Sequence, residues 1–199
     1  MPLMKKLAVL SIAALVAFVS HTALALDMRD IRAGRVIPDE GYCDQPYVVI
    51  TNDGNWLCLL TTAGGHEGAA NSHVVSTISA DKGRTWSELV ELEPVDGPPS
   101  VYSLPVVTRS GRVYAFYDYN GDNFKCPARS DCVGWFVYKF SDDHGRSWSK
   151  ERYRLPMRMT AVDRTNTFEG KVQIFWGIGK PITMGDSMLF AFSKCGQYV

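Results

Sequence analysis

The sequence lacks the features that would suit it to nucleic acid, to zinc or to a helical fold. Lys plus Arg and Asp plus Glu balance at 21 each, so no excess of positive charge favours nucleic-acid binding. Neither a Cys-x-x-Cys nor a His-x-x-x-His spacing is present, which argues against a metal site, and no cofactor is expected. Helical periodicity is scarce. Gly and Pro instead punctuate short apolar runs, which is typical of an all-β protein.

The N-terminus has the pattern of an export signal. Lys5 and Lys6 precede an apolar run over 7–19, and Ala23-Leu24-Ala25 fits a small-x-small cleavage site. A membrane anchor is the alternative, but the run is short of the roughly 20 residues that a span needs. No Cys follows the cleavage site, so a lipoprotein is not indicated. We predict a signal peptide over 1–25, a linker over 26–40, and a secreted or periplasmic protein with no membrane association after cleavage.

Two copies of one motif, S-x-D-x-G-R-[ST]-W, organise the rest of the chain. They occupy 79–86 and 141–148. The Asp can accept backbone hydrogen bonds to close a turn, the Gly supplies a positive φ, and the Trp is expected to begin the return strand and bury its ring. These roles are structural, and they fall on Asp81, Gly83, Trp86, Asp143, Gly145 and Trp148.

The strands predicted around these turns repeat in the same order. Residues 44–100 follow the order strand, Asp-Gly turn, strand, loop, strand and motif, and the pattern returns over 101–155. A third copy over 172–199 is incomplete, so the domain at 41–199 holds about two and a half units, and a closed ring needs more. An N-terminal part of a longer product, a truncated reading frame and a small β-sandwich all remain open.

The motifs resemble the Asp-box (BNR) repeats of the sialidase superfamily. The resemblance implies a six-bladed β-propeller of which this chain holds the first blades. It also implies an exo-α-sialidase type of glycoside hydrolase that releases a terminal sugar and has a glycan as its partner. The Asp-boxes lie away from the chemistry in that family, so a carbohydrate-binding propeller without catalysis is the alternative, and inactivity of this chain on its own is a third possibility.

The candidate catalytic residues lie in the loop between the second and third strands of the first unit. This loop, 63–73, is rich in Gly and carries one carboxyl group and two imidazoles. Glu67 could protonate a leaving glycosidic oxygen, and His66 or His73 could share that role or hold the carboxyl group in place. An ordinary solvated loop is the alternative interpretation.

The candidate substrate-binding residues are expected at the same end of the strands. Asp118 and Tyr119 are placed there by the same reasoning. The set proposed for substrate contact comprises Asp44, Gln45, Arg35, Tyr102, Asn120 and Lys180.

Two departures from the sialidase pattern affect the expected specificity. In the family an Arg opens the first strand and clamps the sialic acid carboxylate, whereas Asp44 stands at that position here. Arg35-Val36-Ile37-Pro38 resembles the Arg-Ile-Pro motif but lies earlier in the chain, and Glu67 stands where the family has its acid Asp. A propeller glycosidase or lyase of another specificity is therefore also consistent with the resemblance.

Cysteine spacing permits disulfides in an exported protein. Cys126 and Cys132 flank a short loop that a bridge would pin. A pair between Cys43 and Cys58 across the first hairpin is a weaker prediction, and Cys195 is left over.

Overall fold

The computed structural model describes residues 27, 29–125, 134–177 and 179–196. It divides the chain into two units, Met1–Gly34 and Arg35–Val199. In the first unit, a single 3₁₀ turn at Ile31–Ala33 is capped by the Asp30 carboxylate, which accepts the backbone N–H of Arg32. The predicted signal peptide lies outside the described residues. Within the described ranges, no helix combines the length and apolarity needed to cross a membrane.

The second unit opens with a four-stranded antiparallel sheet in which neighbours in sequence are neighbours in space. Its first strand begins earlier than predicted. The second strand is almost entirely buried, because the sheet is covered on both faces. The strands are β1 (Tyr42–Ile50), β2 (Trp56–Ala63), β3 (His73–Ser79) and β4 (Val90–Glu91).

A second sheet repeats this order and connectivity. Its strands are β5 (Ser100–Val107), β6 (Val113–Tyr119), β7 (Trp135–Ser141) and β8 (Tyr153–Leu155). The prediction that Trp86 and Trp148 begin the fourth strands is wrong, since β4 and β8 start a few residues later. The physical reason is that only one of the two backbone bonds forms at each position: the Ser87 and Ser149 N–H groups donate to the carbonyls of Ile78 and Phe140, but the serine hydroxyls accept the return N–H groups.

A third, partial set of strands comes after a four-residue helix, α1 (Ala161–Arg164). These strands are β9 (Phe175–Gly177), β10 (Ile182–Met184), β11 (Ser187–Leu189) and β12 (Phe192–Lys194). The chain runs out along β9 and β10, turns at Gly185 and returns along β11 and β12, so that β10 pairs with β11 and β9 with β12. The out-going strand begins at Phe175, before the predicted start at Lys180. The fold is therefore all-β, with two complete propeller blades and strands of another.

Each Asp-box closes a turn through its carboxylate. Asp81 accepts the backbone N–H of Thr85 at 2.8 Å and the Ser79 hydroxyl at 2.8 Å, and Gly83 follows with φ +82°. These bonds, that from the Thr85 backbone first, lower the pKa of Asp81 to about 2. Asp143 makes the corresponding bonds with Ser147 and Ser141. Both turns are local, which is why the spacing alone identifies them.

The first strands of both sheets carry the same irregularity. Register shifts occur between Asp44 and Tyr47 in β1 and between Val101 and Leu104 in β5. Each shift contains a non-glycine residue with positive φ, Gln45 at 47° and Tyr102 at 61°. Such β-bulges re-aim side chains and occur next to functional sites. They bend the same end of both blades.

The core lies between successive blades. Leu59 and Val74 of the first sheet pack against Tyr117 and Val137 of the second. The other face of the second sheet packs against the third, partial set of strands, through buried residues that include Phe136 and a set of aromatic rings. Leu104, Phe116, Phe175, Phe190 and Phe192 belong to this second cluster.

Candidate functional site

The candidate site lies at the end of the blades opposite the Asp-boxes. β2 and β6 finish there, β3 and β7 begin there, and both bulges open toward it. The Asp-boxes lie beyond the far ends of β3 and β7. Loops and bulges that a rigid sheet positions in this way are common locations for binding and catalysis.

A carboxylate–imidazole pair stands at the start of β3. The Nε2 atom of His73 lies 3.5 Å from Oε2 of Glu40, and Nδ1 lies 3.2 Å from the Asn71 carbonyl oxygen. His73 is 1% exposed, whereas the Glu40 side chain is 37% exposed. The backbone N–H of Glu40 donates to the Thr62 hydroxyl at 2.9 Å, which holds the Glu40 main chain beside the end of β2. Glu40 therefore reaches solvent with a buried imidazole behind it.

Sequence reasoning placed Glu40 in the predicted linker and missed it. Its pairing requires the long β1 that the structure shows, because only then does the segment before Tyr42 run beside Thr62. An acidic residue just before a strand carries no signal of its own for such a pair.

The other two predicted catalytic side chains face solvent. Glu67 and His66 are exposed in the loop between β2 and β3, and His66 Nδ1 lies 2.8 Å from the Glu67 carbonyl oxygen. The structure therefore separates the predicted set into a buried imidazole, His73, and an exposed pair. The roles of Glu67 and His66 stay predictions.

Asp118 is a buried carboxyl group without a partner among the described residues. It is 3% exposed, and neither of its oxygen atoms accepts or donates a hydrogen bond within that part of the chain. Burial raises its pKa well above the usual carboxyl value. The hydroxyl of Ser103, in the neighbouring bulge, is also buried and has no hydrogen-bond partner within the described ranges. Burial thus favours the protonated, neutral form of Asp118.

Two of the predicted sugar-binding residues have structural contacts. The Trp176 indole N–H donates to the Tyr102 hydroxyl at 3.1 Å, and the Tyr102 backbone N–H donates to Thr61 Oγ1 at 3.0 Å. Asn120 closes the loop after β6, since its side chain bonds to both the N–H and the carbonyl of Phe124. Tyr102 is 4% exposed and Asn120 2%, so neither side chain presents a surface to a sugar.

The remaining predicted binding residues are spread along β1 and its surroundings. Asp44 is half-buried opposite Thr61, and the side-chain amide oxygen of Gln45 is buried without a partner in the described part of the chain. Arg35 is exposed at the start of the second unit. Lys180 is exposed and donates to the Val48 carbonyl, so it contacts the first blade from the partial set of strands.

The cysteines of the first hairpin are not bonded to each other. Register places Cys43 opposite Thr62 and Cys58 opposite Val48, and both thiols are free, so the predicted Cys43–Cys58 bridge is wrong. Burial raises the pKa of the Cys58 thiol to about 12. Cys195 is also free. The predicted Cys126–Cys132 bridge lies outside the described residues.

Metal-ligating side chains do not gather anywhere in the described ranges: no three His, Cys, Asp or Glu residues lie close enough together to hold an ion.

Comparison with known proteins relates the chain to others through its fold. No protein-family model matches, and no curated protein matches. A protein of unknown function from Dyadobacter fermentans superposes with a TM-score of 0.57 at 16% identity, over 77% of this chain and 47% of that one. A Hadza microbial sialidase superposes with a TM-score of 0.50 at 19% identity, over 75% of this chain and 32% of that one.

An ulvan lyase of polysaccharide lyase family 25 superposes less well, with a TM-score of 0.45 at 16% identity. It covers 75% of this chain and 31% of the lyase. The chain thus spans about half of the first of these structures and about a third of the other two. At these identities, the first two likenesses establish a shared fold.

Proposed function

We propose that the protein is a sialidase-like glycoside hydrolase that releases a terminal sugar from a glycan, and that it acts after export from the cytoplasm. The observation that carries this proposal is the Glu40–His73 pair at the end of the blades where the bulges open. The fold shared with a microbial sialidase supports the choice of glycans as substrate.

The pair has the properties of a proton donor and acceptor. With a proton on Nδ1, where the Asn71 carbonyl accepts it, His73 leaves Nε2 bare and 3.5 Å from Glu40 Oε2, without a hydrogen bond among the described residues but within reach of a small side-chain rotation. The imidazole can then take the carboxyl proton and return it, so Glu40 can alternate between acid and base. Cleavage of a glycosidic bond needs such a group together with a second carboxylate or nucleophile. We assign that second role to Glu67, on the loop after β2, with His66 beside it.

The proposal is tested by hydrolysis of fluorogenic sialosides and neutral glycosides by the 199-residue protein. Glu40→Gln keeps the shape of the side chain and removes its proton chemistry, so we expect kcat to fall roughly 100- to 10,000-fold. Glu67→Gln should lower kcat as well. Glu91→Gln, on the exposed edge of β4, is the matched control and should leave kcat unchanged.

A glycan-binding protein without catalysis is the second candidate. The observation in its favour is that Asp118, the other well-placed carboxyl group on this face, is buried in the interior and does not reach solvent. If the wild-type protein binds oligosaccharides but releases no fluorophore from any glycoside, binding is the function. Full activity in Glu40→Gln would instead remove the pair from the mechanism.

A further inference from the structure

A groove of about 410 Å³ lies beside the second blade, and neither Glu40 nor His73 is among its lining residues. One wall is formed by the start of β7 and the end of β8, and the other by the segment that comes after the blade, 157–173. Its volume lies within the range of small-molecule sites. Its lining mixes the indole of Trp135 and the side chain of Met157 with two cations, Arg154 and Lys171, and one carboxylate, that of Asp122, which accepts the Trp135 indole N–H.

Arg154 is held in place by an aromatic ring and not by an acid. Its guanidinium carbon lies 4.1 Å from the centroid of the Trp135 ring, and among the described residues no carboxylate pairs with it. Trp135 is itself fixed, because its indole N–H donates to Asp122 at 2.9 Å. Its ring also lies so close to Gly121 that a Cβ there would fall 2.6 Å from it.

Arg152 shows what Arg154 lacks. It stacks on Tyr119 at 3.6 Å from the ring centroid and also binds the Glu93 carboxylate through two nitrogens. Arg154 repeats the stacking, but the structure shows no such anion at its guanidinium among the residues it describes. A guanidinium in this state is suited to a two-point hydrogen bond with a carboxylate or sulfate group.

The opposite wall is ordered by its own hydrogen bonds. The Asn166 side chain donates to the Val172 carbonyl at 2.7 Å and accepts the N–H groups of Phe168 and Gly170, which positions Lys171 at the rim. Gln173 donates to the Arg158 carbonyl at 3.3 Å. Lys171 meets Glu169 at 2.9 Å, but both side chains are largely exposed, so this pair neutralises the groove only weakly.

We propose that this groove binds an acidic sugar unit, with Arg154 receiving its carboxylate or sulfate and Lys171 adding long-range attraction. The Met157 thioether in the lining offers an apolar contact for the C–H groups of a sugar ring. The preference for an anion rests on the groove itself, whereas the choice of a sugar rests on the proposed function.

The test is binding, measured by calorimetry with oligosaccharides that the protein does not need to cleave. The ligands are oligogalacturonides for carboxylate, sulfated dextran oligosaccharides for sulfate, and neutral dextran oligosaccharides. We expect at least one anionic set to bind about tenfold more tightly than the neutral set. Arg154→Ala should remove that advantage and Arg154→Lys should restore part of it.

The controls separate this groove from the proposed active site. Arg84→Ala removes an exposed arginine at the opposite end of the first blade and should bind as the wild type does. Glu40→Gln should lose hydrolysis but keep anion binding that depends on Arg154. Thermal melts serve to check that the variants of the exposed Arg154 are folded. Equal affinity for neutral dextran, unchanged affinity in Arg154→Ala, or no binding of any oligosaccharide at millimolar concentration would each overturn the proposal.

Discussion

The two complete blades share their backbone and differ in the side chains at one end. Thr61 in β2 and Asp118 in β6 occupy corresponding positions, next to the bulges of β1 and β5. The Thr61 hydroxyl accepts the backbone N–H of Tyr102 from the next blade, whereas the Asp118 carboxyl has no partner in the described part of the chain. His73 and Trp135, which begin the third strands, also differ, since one is a buried imidazole and the other an indole that donates to Asp122. The repeat therefore fixes the geometry of this end and leaves its chemistry free to vary.

The blades also differ in how each one contacts the next set of strands. The first blade reaches the second through Glu93, which lies just after β4 and is 1% exposed. Its carboxylate accepts from the Tyr117 hydroxyl and the Arg152 guanidinium, and Lys139 Nζ lies 3.5 Å away. The second blade contacts the third, partial set of strands through packed aromatic rings. The first interface therefore adds a buried carboxylate network to its apolar cluster, whereas the second is described by its aromatic cluster.

Removing the Glu93 carboxylate should have the largest effect on the free energy of unfolding. Glu93→Ala leaves Arg152 and Lys139 partly buried without their anion, so we expect the free energy of unfolding to fall by about 3–5 kcal/mol. Urea denaturation measures this change, with Glu91→Ala as an exposed control expected to stay within about 0.5 kcal/mol of the wild type. A loss of less than about 1 kcal/mol for Glu93→Ala would show that the network does not hold the two blades together.

Substitution of the Asp-box glycines should lower the free energy of unfolding by a smaller amount, which differs between the two blades. A Cβ at Gly145 would lie 2.6 Å from the Leu57 side chain of the first blade, whereas one at Gly83 would lie 3.1 Å from Trp56. Both glycines have positive φ, so alanine would strain the backbone at both positions. Overpacking would be more severe at Gly145, where the contact is shorter. We expect Gly145→Ala to cost about 3 kcal/mol and Gly83→Ala about 1 kcal/mol in urea denaturation. Equal costs would mean that the tip of the second blade does not pack tightly on the first.

Per pH unit, a smaller effect than those at Glu93 and Gly145 is expected from the pH dependence of Asp118. Its folded-state pKa is raised, so between the unfolded value of about 3.9 and the folded value the unfolded chain ionises while the folded chain keeps its proton. Stability therefore falls with rising pH in this window, by about 1.4 kcal/mol per pH unit. Asp118→Asn should remove this slope and raise stability at neutral pH, as measured by urea titrations at pH 5, 6, 7 and 8.

Exposed Asp39→Asn serves as the control for this measurement and should keep the wild-type slope. A slope that survives in Asp118→Asn would place the responsible group elsewhere.

The sequence predicted the parts of the fold that depend on neighbouring residues. The Asp81 and Asp143 turns and the hairpins before them follow from hydrogen bonds and φ angles within a few residues. The strand bounds around Trp86 could not be predicted, because serine side chains replace ladder bonds there.

The candidate site was less predictable, since its contacts join distant parts of the chain. Glu40 meets His73 because β1 extends to Tyr42, and Arg154 stacks on Trp135 across two strands. Exposure also could not be assigned from the loop sequence, which groups His66 and His73 although one faces solvent and the other is buried.

The buried thiol of Cys58 can report the local opening of the first blade. Alkylating reagents attack the thiolate, and a thiol whose pKa is about 12 is almost wholly protonated at pH 8. The side chain is also fully covered by β-structure on either side. Alkylation of Cys58 therefore requires the strands around it to separate. Its rate measures how often the first blade opens under native conditions.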